Sequence, residues 1–268
     1  MIEVIGLTKR YGSHTAVSDL SFHIEKGIIY GLLGPNGAGK STTMNILTGC
    51  LSATEGRVTV CGYDIFEQAA QAKQCIGYLP ERPPLYLEQT VWEYLTFVGQ
   101  AKGLQKAALE EQLRHVLAVT KTEKVAHRLL KNLSKGYQQR VGIAQALMGD
   151  PPVIILDEPT VGLDPKQIIG IRKLICDLGK EHTVILSSHI LSEVQAVCQR
   201  VLILSHGHLV ACDTLEELEQ RFAGAAGPVS LEEIFLELTD DEPEEEDAEE
   251  DIEDEALDEA LEEEEDAL

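Results

Sequence analysis

No stretch of this 268-residue chain approaches the roughly 18–20 consecutive apolar residues that a membrane-spanning helix requires, so any membrane crossing has to be done by another chain. The six cysteines form no Cys-x-x-Cys pair and show no ligand spacing with histidine. That speaks against a disulfide framework or a structural metal site, and they read as free thiols of a reducing compartment. No secretory leader is visible, because Met1 runs directly into the strand-like Ile2–Leu7, and a cytoplasmic protein is expected. An excess of basic residues is also lacking: 46 acidic side chains face 22 basic ones, a net charge of −24. The imbalance is local. Residues 240–268 hold 20 acidic and no basic residues, which leaves 26 against 22, a net of −4, in the rest. A body so nearly balanced offers little electrostatic footprint for a nucleic-acid backbone. The tail has too many like charges and too few apolar groups to fold alone, and 239–268 is expected to be a solvated disordered segment whose removal leaves activity nearly intact.

What is present starts with Gly34-Pro35-Asn36-Gly37-Ala38-Gly39-Lys40-Ser41, the spacing G-x-x-x-x-G-K-[ST]. It follows the apolar run Ile28–Leu33 and precedes a helical stretch from Thr42 to Thr48, the strand–turn–helix setting in which this motif binds phosphates. Glycines let backbone N–H groups close around an anion, and the helix start adds its dipole. Lys40 would reach the β/γ-phosphates and the Ser41 hydroxyl would ligate Mg²⁺.

Strands are expected at Ile2–Leu7, Ala16–Ile24, Gly56–Val60 and Gln74–Tyr78. A helical block follows from Val91 to about Arg128, where Val91, Tyr94, Leu95 and Val98 fall at i, i+3, i+4, i+7. Apolar runs at Val153–Leu156, Thr183–Ser187, Val201–Ser205 and His208–Cys212 alternate with helices at Lys166–Gly179 and Ile190–Gln199. Closing helices are read at Thr214–Phe222 and Leu231–Leu238. The expected fold class is α/β, with a mostly parallel core sheet, an antiparallel β subdomain and an inserted helical subdomain at about 82–150, all within one unit spanning 1–238.

A phosphate loop alone leaves kinases, GTPases, motors and ATPases open. Val153–Leu156 narrows the choice by ending in Asp157-Glu158: one carboxylate fits the Mg²⁺-organising role, and the next is placed to polarise an attacking water. Ser134, in Leu133-Ser134-Lys135-Gly136-Tyr137-Gln138-Gln139-Arg140, would cap a helix running to Met148 and create a second anion site. With these motifs in register, the chain resembles the ATP-binding-cassette (ABC) family from residue 1 to about 238.

The resemblance implies ATP and Mg²⁺ as ligands, and roles for named positions. Tyr11 matches the aromatic that stacks on adenine, residues 34–42 (Gly34 through Thr42) match the nucleotide cradle, and Asp157 the Walker B aspartate. Asp164, in Val161-Gly162-Leu163-Asp164, matches the D-loop, and His189 the histidine that contacts the γ-phosphate. Catalysis would thus rest on Glu158, His189 and Lys40. In the family two ATPase domains pair head to tail, so Ser134, Gly136 and Asp164 would act across the dimer on the partner's nucleotide. Two departures stand out. Lys135 and Tyr137 replace a Gly and the Gln of the usual LSGGQ signature, and Glu81 occupies the Q-loop glutamine position, where a carboxylate could still ligate Mg²⁺ together with Ser41 and Asp157. These variants, with Leu85-Tyr86, Thr90-Val91 and Ser230–Phe235, resemble the bacterial exporter branch, whose ATPase subunits drive separate membrane-spanning permease subunits from the cytoplasmic face. Tyr86, Trp92 and Phe97 are expected to line the groove for a permease helix. The alternative, a non-transport ABC ATPase acting on nucleic acid or ribosomes, fits poorly with a single uninterrupted cassette and a body near −4. A degenerate ATPase is disfavoured by the presence of Lys40, Glu158 and His189.

Overall fold

The computed structural model describes residues 1–223 and 230–239; apart from Thr239, the acidic tail expected from the sequence lies outside the described residues. Ten strands form two sheets. The first, antiparallel, has the order β2-β1-β4-β5, built from β1 (Ile2–Tyr11), β2 (His14–Ile24), β4 (Glu55–Val60) and β5 (Tyr63–Asp64). The second is six-stranded. It is made of β3 (Ile29–Leu33), β6 (Ile76–Leu79), β7 (Val153–Leu156), β8 (Thr183–Ser187), β9 (Arg200–Ser205) and β10 (His208–Thr214), in the order β10-β9-β3-β8-β7-β6. Its pairings are parallel except that of β10 with β9. The difference follows from the side chains. Every residue of β3, β7 and β8 is buried, as strands covered on both faces by helices or a second sheet must be. β1 alternates buried with exposed positions over Ile2–Ile5 and has one face open.

The central strands send alternate residues to two cores. Ile154 and Leu156 of β7 pack with the helices; Val153 and Ile155 pack against the antiparallel sheet. The helices are α1 (Lys40–Leu47), α2 (Ala69–Gln74), α3 (Val91–Ala101), α4 (Lys106–Thr120), α5 (Lys135–Leu147), α6 (Pro165–Leu178), α7 (Leu191–Val197), α8 (Leu215–Phe222) and α9 (Leu231–Thr239). α3, α4 and α5 lie between β6 and β7 in the chain and pack on one another through Tyr94, Leu95, Leu113, Leu117 and Ile143. None of the described helices is long and apolar enough to cross a membrane.

The helical block expected from Val91 consists of α3 and α4, separated after Ala101 where Gly103 adopts φ +86° and Leu104 N–H bonds back to the Gly99 carbonyl. Two sequence expectations need correction. The strand expected from Gln74 starts at Ile76, because residues 69–74 close as α2; neither α2 nor the two-residue β5 was anticipated. α7 stops at Val197 rather than Gln199: Cys198 is extended and Gln199 N–H bonds the Ile29 carbonyl at the start of β3.

Candidate nucleotide site

Strand order brings the motifs together. β3, β8, β7 and β6 are consecutive neighbours in the sheet. The segments leaving their carboxyl ends are, in that order, Gly34–Ser41, Ser188-His189, Asp157-Glu158 and Pro80-Glu81. This edge is where α/β sheets bind ligands.

The loop after β3 leaves no room for side chains at two points. A Cβ on Gly34 would stand 2.6 Å from the Leu204 carbonyl oxygen of β9. One on Gly39, whose φ is +88°, would stand 2.5 Å from the Ala16 carbonyl oxygen of β2. The loop is therefore clamped between the two sheets. α1 then starts at Lys40 with no acidic residue in its first turn, so its positive dipole end faces the loop without a competing carboxylate. The Lys40 ammonium folds back across the loop and donates to the carbonyls of Gly34 (2.9 Å) and Pro35 (2.8 Å). Asn36, Gly37 and Ser41 are exposed; Ala38 and Thr42 are buried, with Thr42 on the inner side of α1.

Opposite the loop, Asp157 is held from two sides. Its N–H donates to the Leu79 carbonyl (2.8 Å), and its Oδ1 accepts from the Ser187 hydroxyl. Burial pushes its carboxyl above the usual carboxylate range. The Ser187 hydrogen bond and Lys40 pull against that shift, while Glu158 and Glu81 add to it. Glu81, though exposed, thus belongs to the same electrostatic site. Glu158 sits at φ +43°, an uncommon backbone conformation for a side-chain-bearing residue, which its N–H bond to Ser187 Oγ (2.9 Å) helps to hold. Its Oε1 lies 3.0 Å from His189 Nδ1, and its Oε2 is buried with no hydrogen-bond partner. A buried carboxylate with one oxygen engaged and the other unsatisfied is poised to take up a hydrogen bond or a proton. His189 is half-exposed and free to contact a second group with its other nitrogen.

Tyr11 is the last residue of β1, beside the Gly12-Ser13 turn. It is half-buried, with Lys9 Nζ 5.0 Å from the ring centroid. Ser134, Gly136 and Asp164 form a separate group. Ser134 occupies the N-cap of α5 with extended backbone, but its hydroxyl makes no capping bond. Asp164 caps α6, its Oδ1 accepting from Gln167 N–H at 2.9 Å. The two helix starts touch: a Cβ on Gly136 would fall 2.6 Å from the Gln167 side chain, and the Lys135 ammonium lies over Gly162.

The family described as ABC transporter matches residues 17–161. Among curated proteins, the uncharacterized ABC transporter ATP-binding protein YxlF of Bacillus subtilis is 37% identical over 221 residues, covering 82% of this chain and 73% of its own. The bacitracin transport ATP-binding protein BcrA of Bacillus licheniformis is 37% identical over 223 residues, covering 82% and 72%. A solved ATP-binding subunit of an ABC transporter superposes with TM-score 0.80 at 32% identity, over 89% of this chain and 99% of that one. The cassette MJ0796, in a dimeric post-hydrolysis state with ADP and Pi, superposes with TM-score 0.72 at 26% identity, over 80% and 99%. The chain belongs to the ABC transporter ATP-binding family.

As an ABC ATPase it binds and hydrolyses ATP. The sequence reading of this cassette missed Ser187, whose hydroxyl joins Asp157 to the backbone of Glu158. Its only signal was a polar residue closing the apolar strand Thr183–Ser187. The Trp92 ring lies 5.9 Å from that of His127, and Tyr86 pairs with Phe97 at 5.4 Å and with Tyr94 at 5.7 Å.

Proposed function

We propose that this cassette is the ATP-hydrolysing subunit of an exporter, seated on the cytoplasmic side of the membrane and coupled to separate permease subunits. The nucleotide-binding unit is taken as 1–238, with an arm at about 82–150. The observation that carries the catalytic reading is the Glu158 carboxylate, pinned by His189 through Oε1 while the buried Oε2 lacks a hydrogen-bond partner. In this reading the Glu158 carboxylate accepts a proton of the attacking water as the water oxygen bonds the γ-phosphorus and the bond from that phosphorus to the leaving ADP oxygen breaks. Lys40 leaves its two loop carbonyls for the β- and γ-phosphates, His189 donates to the γ-phosphate, and Tyr11 gives its ring face to adenine.

The residues present suit Mg²⁺. Among the described residues no three acidic, His or Cys side chains converge as a ready-made cage, but Mg²⁺ is usually held by one or two carboxylates plus the phosphates. Ser41 and Asp157 would hold it, with Glu81 in reach of the same charge cluster. The bound ion would neutralise charge developing on the phosphate oxygens. Across the dimer, Ser134 and the N–H groups opening α5 would complete the partner's γ-phosphate site, with Asp164 beside them.

The permease reading rests on a groove of about 430 Å³ lined by Cys50, Tyr78, Pro80, Pro84, Val98 and Gln145, among others. The Tyr94 hydroxyl ties its walls, donating to Gln145 Oε1 and to the Pro84 carbonyl, and the exposed Tyr86–Phe97 pair stands beside it. Exposed aromatics next to a concave apolar groove suit an inserted helix. Export relatives include BcrA, named for bacitracin transport, and the linearmycin resistance ATP-binding protein LnrL of Bacillus subtilis. The test is Glu158→Gln. ATP should still bind, turnover should nearly vanish, and an ATP-bound dimer should accumulate on size exclusion. Near-normal turnover would overturn the base assignment.

A further inference from the structure

The motifs make no use of Glu193, yet it is among the most deeply buried charged side chains, 3% exposed at the first turn of α7. A buried carboxylate persists only where other groups satisfy it, so its partners are informative. Its Oε2 accepts from the Thr160 hydroxyl and, more weakly at 3.4 Å, from the Ser188 hydroxyl. Its Oε1 faces Arg172 of α6, with a guanidinium nitrogen at 3.5 Å. Each partner leads to a working part of the site. Thr160 lies two residues beyond Glu158, in a turn where Val161 N–H bonds the Glu158 carbonyl (3.2 Å) and Leu163 N–H bonds the Thr160 carbonyl (3.2 Å). Ser188 immediately precedes His189; its N–H bonds the Leu32 carbonyl (3.3 Å), and its Oγ accepts from Ile190 N–H (3.0 Å). Arg172 rides on the helix that Asp164 caps.

We propose that Glu193 is a positioning residue that joins the Glu158 turn, the His189 segment and the D-loop helix into one unit, so that a push on Asp164 from the partner subunit is felt at the Glu158–His189 pair. The idea rests on the reading that Glu158 and His189 act on ATP. The contact with α6 is the loose part of the unit. Glu193 Oε1 and Arg172 Nε are both buried without a hydrogen bond although their side chains are 3.5 Å apart, so a small shift of α6 would close the pair into a fork. The Thr160 and Ser188 bonds hold the other end.

The test compares Thr160→Val, Glu193→Gln, their double variant and Thr160→Ser in the full chain, with Glu158→Gln alongside. ATP affinity, KM, kcat and thermal unfolding are read for each. Loss of a hydrogen bond to a charged group should lower kcat about tenfold in Thr160→Val and Glu193→Gln, with KM and ATP affinity within about twofold of the parent. The double variant should be no slower than the worse single, and Thr160→Ser should recover most of the rate. If Glu193→Gln fails to fold, Thr160→Val against Thr160→Ser decides. Parental kcat in Thr160→Val, losses that multiply in the double, or a rate loss matched by a loss of ATP affinity would overturn the positioning role. If Glu158→Gln itself retains turnover, the base assignment falls instead, and that outcome is separate from the Thr160–Glu193 result.

Discussion

The two parts of the proposed ATP site are built differently. At the carboxyl edge of the parallel sheet, Asp157, Glu158 and Ser187 are hydrogen-bonded to one another or to adjoining backbone, and the loop after β3 is wedged between sheets. On the other face, Ser134 is exposed with an unused hydroxyl at the start of α5, and Asp164 is exposed at the start of α6. The first half is preorganised by burial. The second is two helix ends held side by side by Gly136, Gln167, Lys135 and Gly162. On the proposed reading, the wedged loop and the exposed helix ends are the two surfaces that a head-to-tail pair would bring together. Rigidity sits where charge must be controlled, and exposure where a partner must arrive.

Substitutions should affect the two parts to different extents. The largest effect should come from Glu158→Gln, which removes the general base: single-turnover kinetics should show hydrolysis down by roughly 10²–10⁴ while ATP binding persists. Lys40→Ala acts on the same half but earlier, and titration with a fluorescent ATP analogue should show affinity weakened by about tenfold or more as a charge-assisted phosphate contact is lost. Ser134→Ala belongs to the second half. It should leave nucleotide binding to the isolated subunit unchanged but lower steady-state turnover by about tenfold, and a parallel loss of monomer binding would place Ser134 in the subunit's own nucleotide site. A mixture of Lys40→Ala and Ser134→Ala chains offers the sharper form, since a head-to-tail pair rebuilds one intact site from the Ser134→Ala cradle and the Lys40→Ala serine. Recovery of activity on mixing is expected, and strict absence of recovery would remove the pairing. Tyr11→Ala should be smallest, raising KM by roughly three- to tenfold through loss of one stacking contact.

Much of this was readable before any fold was known. The phosphate loop, Asp157-Glu158 and His189 each follow an apolar run that the structure makes a fully buried strand, and such runs are plain in sequence because both faces of the strand are covered. The helix starts at Thr90, Asp164 and Thr214 carry their own signals, and all three side chains accept from the N–H three residues on. Less visible were elements held by distant partners. α2 is six residues long and β5 two, too short for periodicity to register. Helical spacing tells which face Trp92 occupies and not which neighbour its ring meets. His127, some 35 residues downstream, supplied that neighbour.

By itself, the order of residues determined the local chemistry: a glycine turn that accepts phosphate, carboxylates at a strand end, a serine at a helix start. Those are short-range properties, set by backbone freedom, burial pattern and capping within a few residues. Only the tertiary structure decided that β8 lies between β3 and β7, which puts His189 on Glu158 across 31 positions of chain. It likewise made Ser187 the link between the two carboxylate residues and buried Glu193 against Thr160. Strand order is a matter of which hydrophobic faces can be covered at once, and no local stretch carries that information.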